Sequence, residues 1–206
     1  MLKIWGRNNS INVQKVMWTA AELGLDHERI DAGGAFGGLD TAEYGALNPN
    51  RRVPTLLDGD VVLWESNVIV RYLAAKYGAG SLCPADPADR ARADQWMDWF
   101  ITTMVADLIV VFWQLIRTAE ANRDQEAIDA AVGRLDASWD IVEAHLADRD
   151  YMVGDRLTMG DVPVGAAAYR YYGLDIKRPD RPRMHAWYQR LADRPAFQTH
   201  VMLPLT

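Results

Sequence analysis

The feature that most constrains the fold is a change of pattern at Gly78–Pro87. Before this segment, short apolar runs typical of strands alternate with helical spacings, whereas no convincing strand pattern follows it. The segment itself is rich in Gly and Pro, which is typical of a linker. The sequence therefore predicts a small α/β domain at residues 1–78, a linker at 79–87 and an all-helical domain at 88–206.

The first domain is predicted to contain a mixed sheet of four strands. Its elements follow the order βαβ, then α, then ββα. A βαβ unit pairs its strands in parallel, whereas the Asp58-Gly59 turn between two apolar runs indicates an antiparallel hairpin. The predicted strands are Leu2–Trp5, His27–Asp31, Val53–Leu57 and Val61–Trp64. One predicted helix begins after Ser10, a second spans Asp40–Leu47 and a third opens at Ser66.

Four helices are predicted in the second domain, because apolar residues recur there every three or four positions. They are Asp89–Arg117, Gln125–Ala147, Asp161–Tyr172 and Pro182–Ala192, the last ended by Arg194-Pro195. The start of the third helix carries a capping box, in which Thr158 caps the helix and the Asp161 carboxylate reaches back to the Thr158 N–H. We expect both residues to serve folding rather than catalysis.

Composition excludes several kinds of site. Cys83 is the single cysteine, which excludes an intramolecular disulfide, a CxxC redox pair and a zinc site built from several thiolates. The four histidines lack metal-ligand spacing, so no metal is predicted. A formal charge of −6 disfavours nucleic-acid binding, which needs clustered Lys and Arg.

Two further absences favour a cytoplasmic protein. The first residues lack the basic and apolar regions of a signal peptide. The longest apolar run, Leu108–Trp113, is far shorter than the ~20 residues of a membrane span, so no membrane segment is predicted.

Three short segments carry candidate ligand-binding groups. Ser10 either caps its helix or donates a hydrogen bond to an anion such as a thiolate. The second segment is Glu65-Ser66, where the helix N-terminus at Ser66 suits a carboxylate and the Glu65 side chain suits an ammonium group. Alternatively, Ser66 simply caps the helix and Glu65 is solvated. Pro54 marks a sheet edge, a strand start or a cis bond, and a cis bond would free the Val53 main chain to pair with a ligand.

Taken together, these segments resemble the cytosolic glutathione transferase family over essentially the whole chain. Their order and spacing, with an α/β half before a helical half, carry the resemblance. They are Ser10–Val13, Asn48-Pro49 with Arg52–Leu56, Trp64–Ser66 and Leu157–Asp161. The resemblance implies a thioredoxin-like N-terminal domain, an all-helical C-terminal domain and glutathione as co-substrate. It further implies an enzyme that adds the glutathione thiolate to a small hydrophobic electrophile.

The resemblance also implies where glutathione binds. The Val53-Pro54 bond is expected to be cis, with the Val53 main chain pairing with the cysteinyl part of glutathione. Glu65 and Ser66 are expected to hold the γ-glutamyl end, and Arg52 to lie near the glycyl carboxylate.

Ser10 falls where serine-type, theta-like bacterial members keep the hydroxyl that activates the thiol. We infer that Asn12 adds an amide donor to the sulfur. Arg7, Phe112 and Trp113 are predicted to line the electrophile pocket, although aromatic residues at helical spacing also fit a core.

Alternatives remain open on the same fold. A glutathione-dependent peroxidase, dehalogenase or isomerase would use the same thiol, and a non-catalytic interaction module would use none. The family resemblance also implies a homodimer, in which the N-terminal domain of one subunit packs against the helical domain of the other. The Gly33–Gly38 loop is unusually rich in glycine, so no residue of that loop can be assigned to the glycyl carboxylate.

Overall fold

A mixed sheet forms the centre of the N-terminal half in the computed structural model, which describes residues 1–206. Its strands are β1 (Leu2–Trp5), β2 (His27–Ile30), β3 (Thr55–Asp58) and β4 (Val61–Trp64). They lie in the order β2-β1-β3-β4, with β1 parallel to β2 and the other two pairs antiparallel. The predicted mixed four-stranded sheet is confirmed. β3 begins at Thr55 rather than Val53, because Pro54 has no N–H to donate to the ladder.

Three helices accompany the sheet: α1 (Ile11–Glu22), α2 (Ala42–Leu47) and α3 (Ser66–Tyr77). α1 ends where Gly24 takes a φ of +64°, a conformation that glycine adopts at little cost after a helix. α1 packs against α3 within this half and against two helices of the other half. It therefore lies at the junction of the two halves.

The C-terminal half is entirely helical, as predicted. Its helices are α4 (Pro87–Trp99), α5 (Val105–Phe112), α6 (Gln125–His145), α7 (Asp161–Gly173), α8 (Pro182–Ala192) and α9 (Pro195–His200). π-Helical turns at Phe100–Met104 and Trp113–Arg117 make α4 and α5 parts of one continuous helix, close to the predicted Asp89–Arg117. α9 was not predicted. The predicted helix Pro182–Ala192 is confirmed as α8, and Pro195 after it opens α9, because proline fits the first turn of a helix.

The continuous helix Pro87–Arg117 has 31 residues and is apolar enough, by length and composition alone, to cross a bilayer. The longest unbroken apolar run did not reveal this, because polar residues interrupt the stretch. The core helix of a folded domain meets the same criterion. The inward face of this helix, including Met97, Phe100 and Leu108, belongs to the main hydrophobic core.

The start of α7 is built differently from the predicted capping box. The helix begins at Asp161, and its carboxylate accepts from the Thr158 N–H at 2.9 Å, as expected. The Thr158 hydroxyl does not cap the helix; it donates to the same carboxylate at 3.0 Å. The N–H of Met152 and the indole N–H of Trp187 also donate to Asp161, at 2.8 and 2.9 Å. Asp161 therefore joins the loop before α7 to both α7 and α8.

The main core crosses the boundary between the halves. It contains most buried apolar residues of the C-terminal helices together with Trp18, Val70 and Ala74 from the N-terminal half. A smaller core lies between the sheet and helices α1 and α3. The site described below lies where these two halves meet.

Candidate active site

The loop before β3 is held by a buried hydrogen-bond network. The Tyr44 hydroxyl and the Asn48 amide donate to the Arg52 carbonyl at 2.7 and 2.8 Å. The same amide donates to the Thr55 hydroxyl at 3.0 Å. Tyr44, Asn48 and Thr55 are all buried, so the main chain before the proline has a fixed position. Asn48 and Thr55 belong to the segments that carry the family resemblance, but their part in this network was not predicted from the sequence.

Val53 and Pro54 follow this network. Their peptide bond is cis, as the family resemblance implies. The Val53 main chain takes no part in the sheet, since the pairing of β1 with β3 begins at Thr55. Its N–H and C=O form no hydrogen bond with another backbone group. The edge that they present is therefore available to a ligand in an extended conformation.

Glu65 and Ser66 join β4 to α3. Glu65 is exposed and has a φ of +70°, which is strained for a residue with a side chain. Ser66 is the first residue of α3, not its cap, and its hydroxyl donates to Asn12 Oδ1 at 3.2 Å. The simple capping alternative for Ser66 is therefore wrong.

Most residues expected to bind glutathione share one small cavity of about 90 Å³. It brings together the start of α1, the loop before β3 and the junction of β4 with α3. Its lining residues are Asn12, Asn48, Asn50, Arg52, Val53, Pro54, Trp64, Glu65 and Ser66. Asn50 and Trp64 were not selected from the sequence as site residues, because a polar loop residue and a strand aromatic carry no distinctive signal.

Ser10 lies beside this cavity rather than in its lining, two residues before Asn12. It is buried and occupies the N-cap of α1, yet its side chain forms no capping hydrogen bond. Ser10 therefore occupies the predicted cap position without the side-chain hydrogen bond that a cap makes. Asn12 Oδ1 accepts from Ser66, and the amide N–H₂ of Asn12 donates to no protein group. Two donors at the start of α1 are thus available.

Lys15 is a residue of this region that the sequence analysis missed. It is completely buried, and its Nζ donates to Asn67 Oδ1 at 3.0 Å and lies 5.2 Å from the centre of the Phe100 ring. Burial lowers its pKa to about 7, although the Glu65 carboxylate opposes this change. The available signal was a single basic residue within the otherwise largely apolar α1.

The three residues predicted for the electrophile pocket have different surroundings. Phe112 is buried in the main core, whereas Trp113 is 51% exposed. The Arg117 guanidinium lies 5.1 and 4.7 Å from the centres of these two rings. The Arg7 side chain crosses the glycine-rich loop close to Gly34. A Cβ placed on Gly34 would lie 3.0 Å from Arg7 Cδ. The glycine there makes room for the arginine.

Two family models match the chain in sequence. The model described as glutathione S-transferase, N-terminal domain, matches residues 1–75, and the model for the C-terminal domain matches residues 93–195. The chain belongs to the glutathione S-transferase family. The mixed sheet followed by helices is the architecture of this transferase family, so the predicted thioredoxin-like and all-helical halves are confirmed.

Individual relatives cover the transferase from end to end. Glutathione S-transferase GstB of Escherichia coli is 42% identical, over 100% of both chains. Glutathione S-transferase 3 of Zea mays is 34% identical, over 99% of this chain and 95% of its own. A crystal structure of the theta class glutathione S-transferase from Xanthomonas axonopodis pv. citri, with glutathione bound, superposes with a TM-score of 0.96. It is 49% identical and covers 100% of this transferase and 99% of its own chain.

Proposed function

We propose that this transferase binds glutathione in the cavity at Val53 and Glu65 and transfers its sulfur to a small electrophile. The observation that carries the proposal is that Asn12 and five residues to which the family resemblance assigns a role line that one cavity. They are Asn12, Arg52, Val53, Pro54, Glu65 and Ser66. The Xanthomonas relative with glutathione bound supports glutathione as the ligand.

The charges of the cavity suit the two ends of glutathione. The exposed carboxylate of Glu65 attracts the α-ammonium of the γ-glutamyl group. The α-carboxylate of that group lies at the N-terminus of α3, where free N–H groups, that of Ser66 among them, favour an anion. The unpaired Val53 main chain pairs with the cysteinyl residue in strand fashion. Arg52, which is exposed, lies near the glycyl carboxylate.

This placement brings the sulfur to the start of α1. There the Ser10 hydroxyl and the Asn12 amide donate hydrogen bonds that stabilise the thiolate over the thiol. Lowering a thiol pKa from about 8.5 by one to two pH units needs about 1.4 to 2.7 kcal/mol. The thiolate then attacks the electrophilic carbon, the C–S bond forms and the leaving group departs with its electron pair. Holding both reactants together makes this step effectively unimolecular.

The alternatives on the same fold differ in the bond that the glutathione sulfur attacks. Cys83 is buried in the segment between α3 and α4, so it does not supply a second thiol at this cavity. A peroxidase, dehalogenase or isomerase would therefore use glutathione alone. A non-catalytic module would have no need of two unpaired donors beside the cavity.

Activity measurements on three substrate types separate these functions. We expect glutathione-dependent turnover of a halonitrobenzene, and less turnover of a hydroperoxide and of a mixed disulfide. Calorimetry with glutathione alone tests binding independently of chemistry. Binding weaker than millimolar, together with no turnover of any of the three, would contradict the proposed function and favour the interaction module.

We also propose a cytoplasmic homodimer. Apolar side chains are exposed on both halves, including Trp64 and Val68 in the first and Ile101 in the second. Val68 and Ile101 each lie one helical turn from Arg71 and Asp98, which form a salt bridge. Exposed apolar side chains therefore flank a salt bridge between the two halves, which supports an apolar surface of the kind that the family's domain-to-domain dimer contact requires.

A further inference from the structure

Arg170 of α7 is a buried cation without a counter-ion. It is 7% exposed, and its Nη2 donates to the carbonyl of Asn9 at 3.0 Å, while its Nε–H has no partner. The guanidinium stacks on Phe112, with its central carbon 4.0 Å from the ring centre. Because Asn9 directly precedes Ser10, this cation lies next to the residue that we propose to activate the thiol.

Two further arginines converge on the same place. Burial and the positive charges of Arg117 and Arg7 lower the pKa of Arg170 to about 9. Burial and the charge of Arg7 also lower the pKa of Arg117. None of the three forms a salt bridge with an Asp or Glu side chain, although eleven such bridges form elsewhere in the chain. Arg117 donates from Nε and Nη2 to the main-chain oxygen of Thr206, at 3.4 and 3.1 Å. Mutual repulsion among half-buried and buried cations is unfavourable unless an anion joins them.

The arginines come from both halves of the chain. Arg117 and Arg170 belong to the helical half, and Arg7 crosses the loop that follows β2. A Cβ placed on Gly33 of that loop would lie 3.4 Å from both Arg7 Nη1 and Val53 Cγ1, so Arg7 reaches the rim of the glutathione cavity. Because Arg170 donates to the Asn9 carbonyl beside Ser10, the cluster lies next to the expected position of the sulfur, where the second substrate must also bind.

We infer that the second substrate carries a carboxylate, which Arg7, Arg117 and Arg170 bind while its electrophilic carbon faces the sulfur. The inference rests on the proposed function for the identity of the nucleophile. A planar guanidinium matches a carboxylate with two parallel hydrogen bonds, and the half-exposed Trp113 offers apolar surface to the rest of the molecule. With an aryl chloride, the thiolate forms the C–S bond and chloride leaves with the electron pair of the C–Cl bond, so no oxidant or reductant is needed.

Matched carboxylate and amide probes test the inference. Calorimetry compares the affinities of unreactive 3-nitrobenzoate and 3-nitrobenzamide, with and without glutathione. Kinetics then compare 4-chloro-3-nitrobenzoate with its amide, each kcat/KM divided by the uncatalysed rate constant. We expect the carboxylate to be preferred in both experiments, and the preference to fall about tenfold in Arg117→Gln and Arg170→Gln.

The control variant is Arg92→Gln, which removes the same charge from an exposed position in α4. Circular dichroism and glutathione affinity are measured for every variant. If Arg170→Gln does not fold, Arg117→Gln, which changes a half-buried residue, tests the carboxylate preference alone. The inference is overturned if the unmodified chain binds both probes equally, if Arg117→Gln keeps the full preference, or if this variant weakens glutathione binding instead. Absence of all turnover would contradict the proposed function, while the calorimetric preference would still decide the inference.

Discussion

The Ser10 hydroxyl is the residue-scale feature on which the proposed chemistry depends. At most helix starts a serine in this position accepts a backbone hydrogen bond, but here it forms none. Its removal should therefore cost little folding stability, so a loss of activity would report on chemistry.

We predict that Ser10→Ala raises the pKa of the bound glutathione thiol by about one to two pH units. The measurement is a pH titration of thiolate ultraviolet absorbance in the complex. Ser10→Thr keeps a hydroxyl and is the matched control, with a pKa close to the original. An unchanged thiol pKa in Ser10→Ala would show that the assigned role is wrong.

Lys15 makes a second residue-scale prediction, on the pH dependence of stability. Its pKa is about 7 when folded, well below the ordinary lysine value of 10.5 that applies to the unfolded chain. Between these two values the unfolded chain binds the extra proton, so the free energy of unfolding rises with pH. The expected slope from this one group is up to about 1.4 kcal/mol per pH unit.

Urea unfolding at pH 7, 8 and 9 measures this slope. Lys15→Met should flatten it, because the titrating group is gone, whereas Lys3→Met removes an exposed lysine and should leave it unchanged. A slope that persists in Lys15→Met would assign the pH dependence to another group.

At the scale of elements, the start of α7 depends on the buried Asp161 carboxylate. In Asp161→Ala, the N–H groups of Met152 and Thr158 and the indole of Trp187 lose their acceptor. Each unsatisfied buried donor costs about 1 to 3 kcal/mol, so we expect a loss of about 3 kcal/mol or more in the free energy of unfolding. Urea unfolding tests this, with the exposed Asp175→Ala as control. A loss below about 1 kcal/mol would contradict the prediction.

Most elements could be predicted from the sequence because their apolar periodicities are regular. The exceptions have local causes. Pro195 fits both a helix end and a helix start, and only packing of the following turn decides between them. The Thr158 hydroxyl can accept from a backbone N–H as a helix cap or donate to a carboxylate, and in the structure it donates to the buried Asp161 carboxylate. Lys15 and Arg170 were not identified because burial of a charge depends on contacts between distant segments, which no local pattern records.

At the scale of the whole molecule, the exposed apolar surface at Val68 and Ile101 predicts a dimer. We expect Val68→Asp to shift the chain toward the monomer in sedimentation velocity, because a charge in an apolar interface loses its solvation on association. Ile141→Asp changes a similarly exposed residue on α6 and should leave the dimer intact. A monomeric unmodified chain would contradict the proposal.

The core shared between the halves has a consequence for how such proteins diversify. Trp18 of α1 packs edge-on against Phe197 of α9, with ring centres 4.8 Å apart, and Arg194 Nε donates to Glu22 at 2.9 Å. A helical half taken from a relative must therefore bring a matching pocket for this tryptophan. Recombination at the linker would leave a void or a clash in most chimaeras. The two halves are thus expected to be inherited as a pair, with novelty confined to residues such as Arg117, which we propose to face the second substrate.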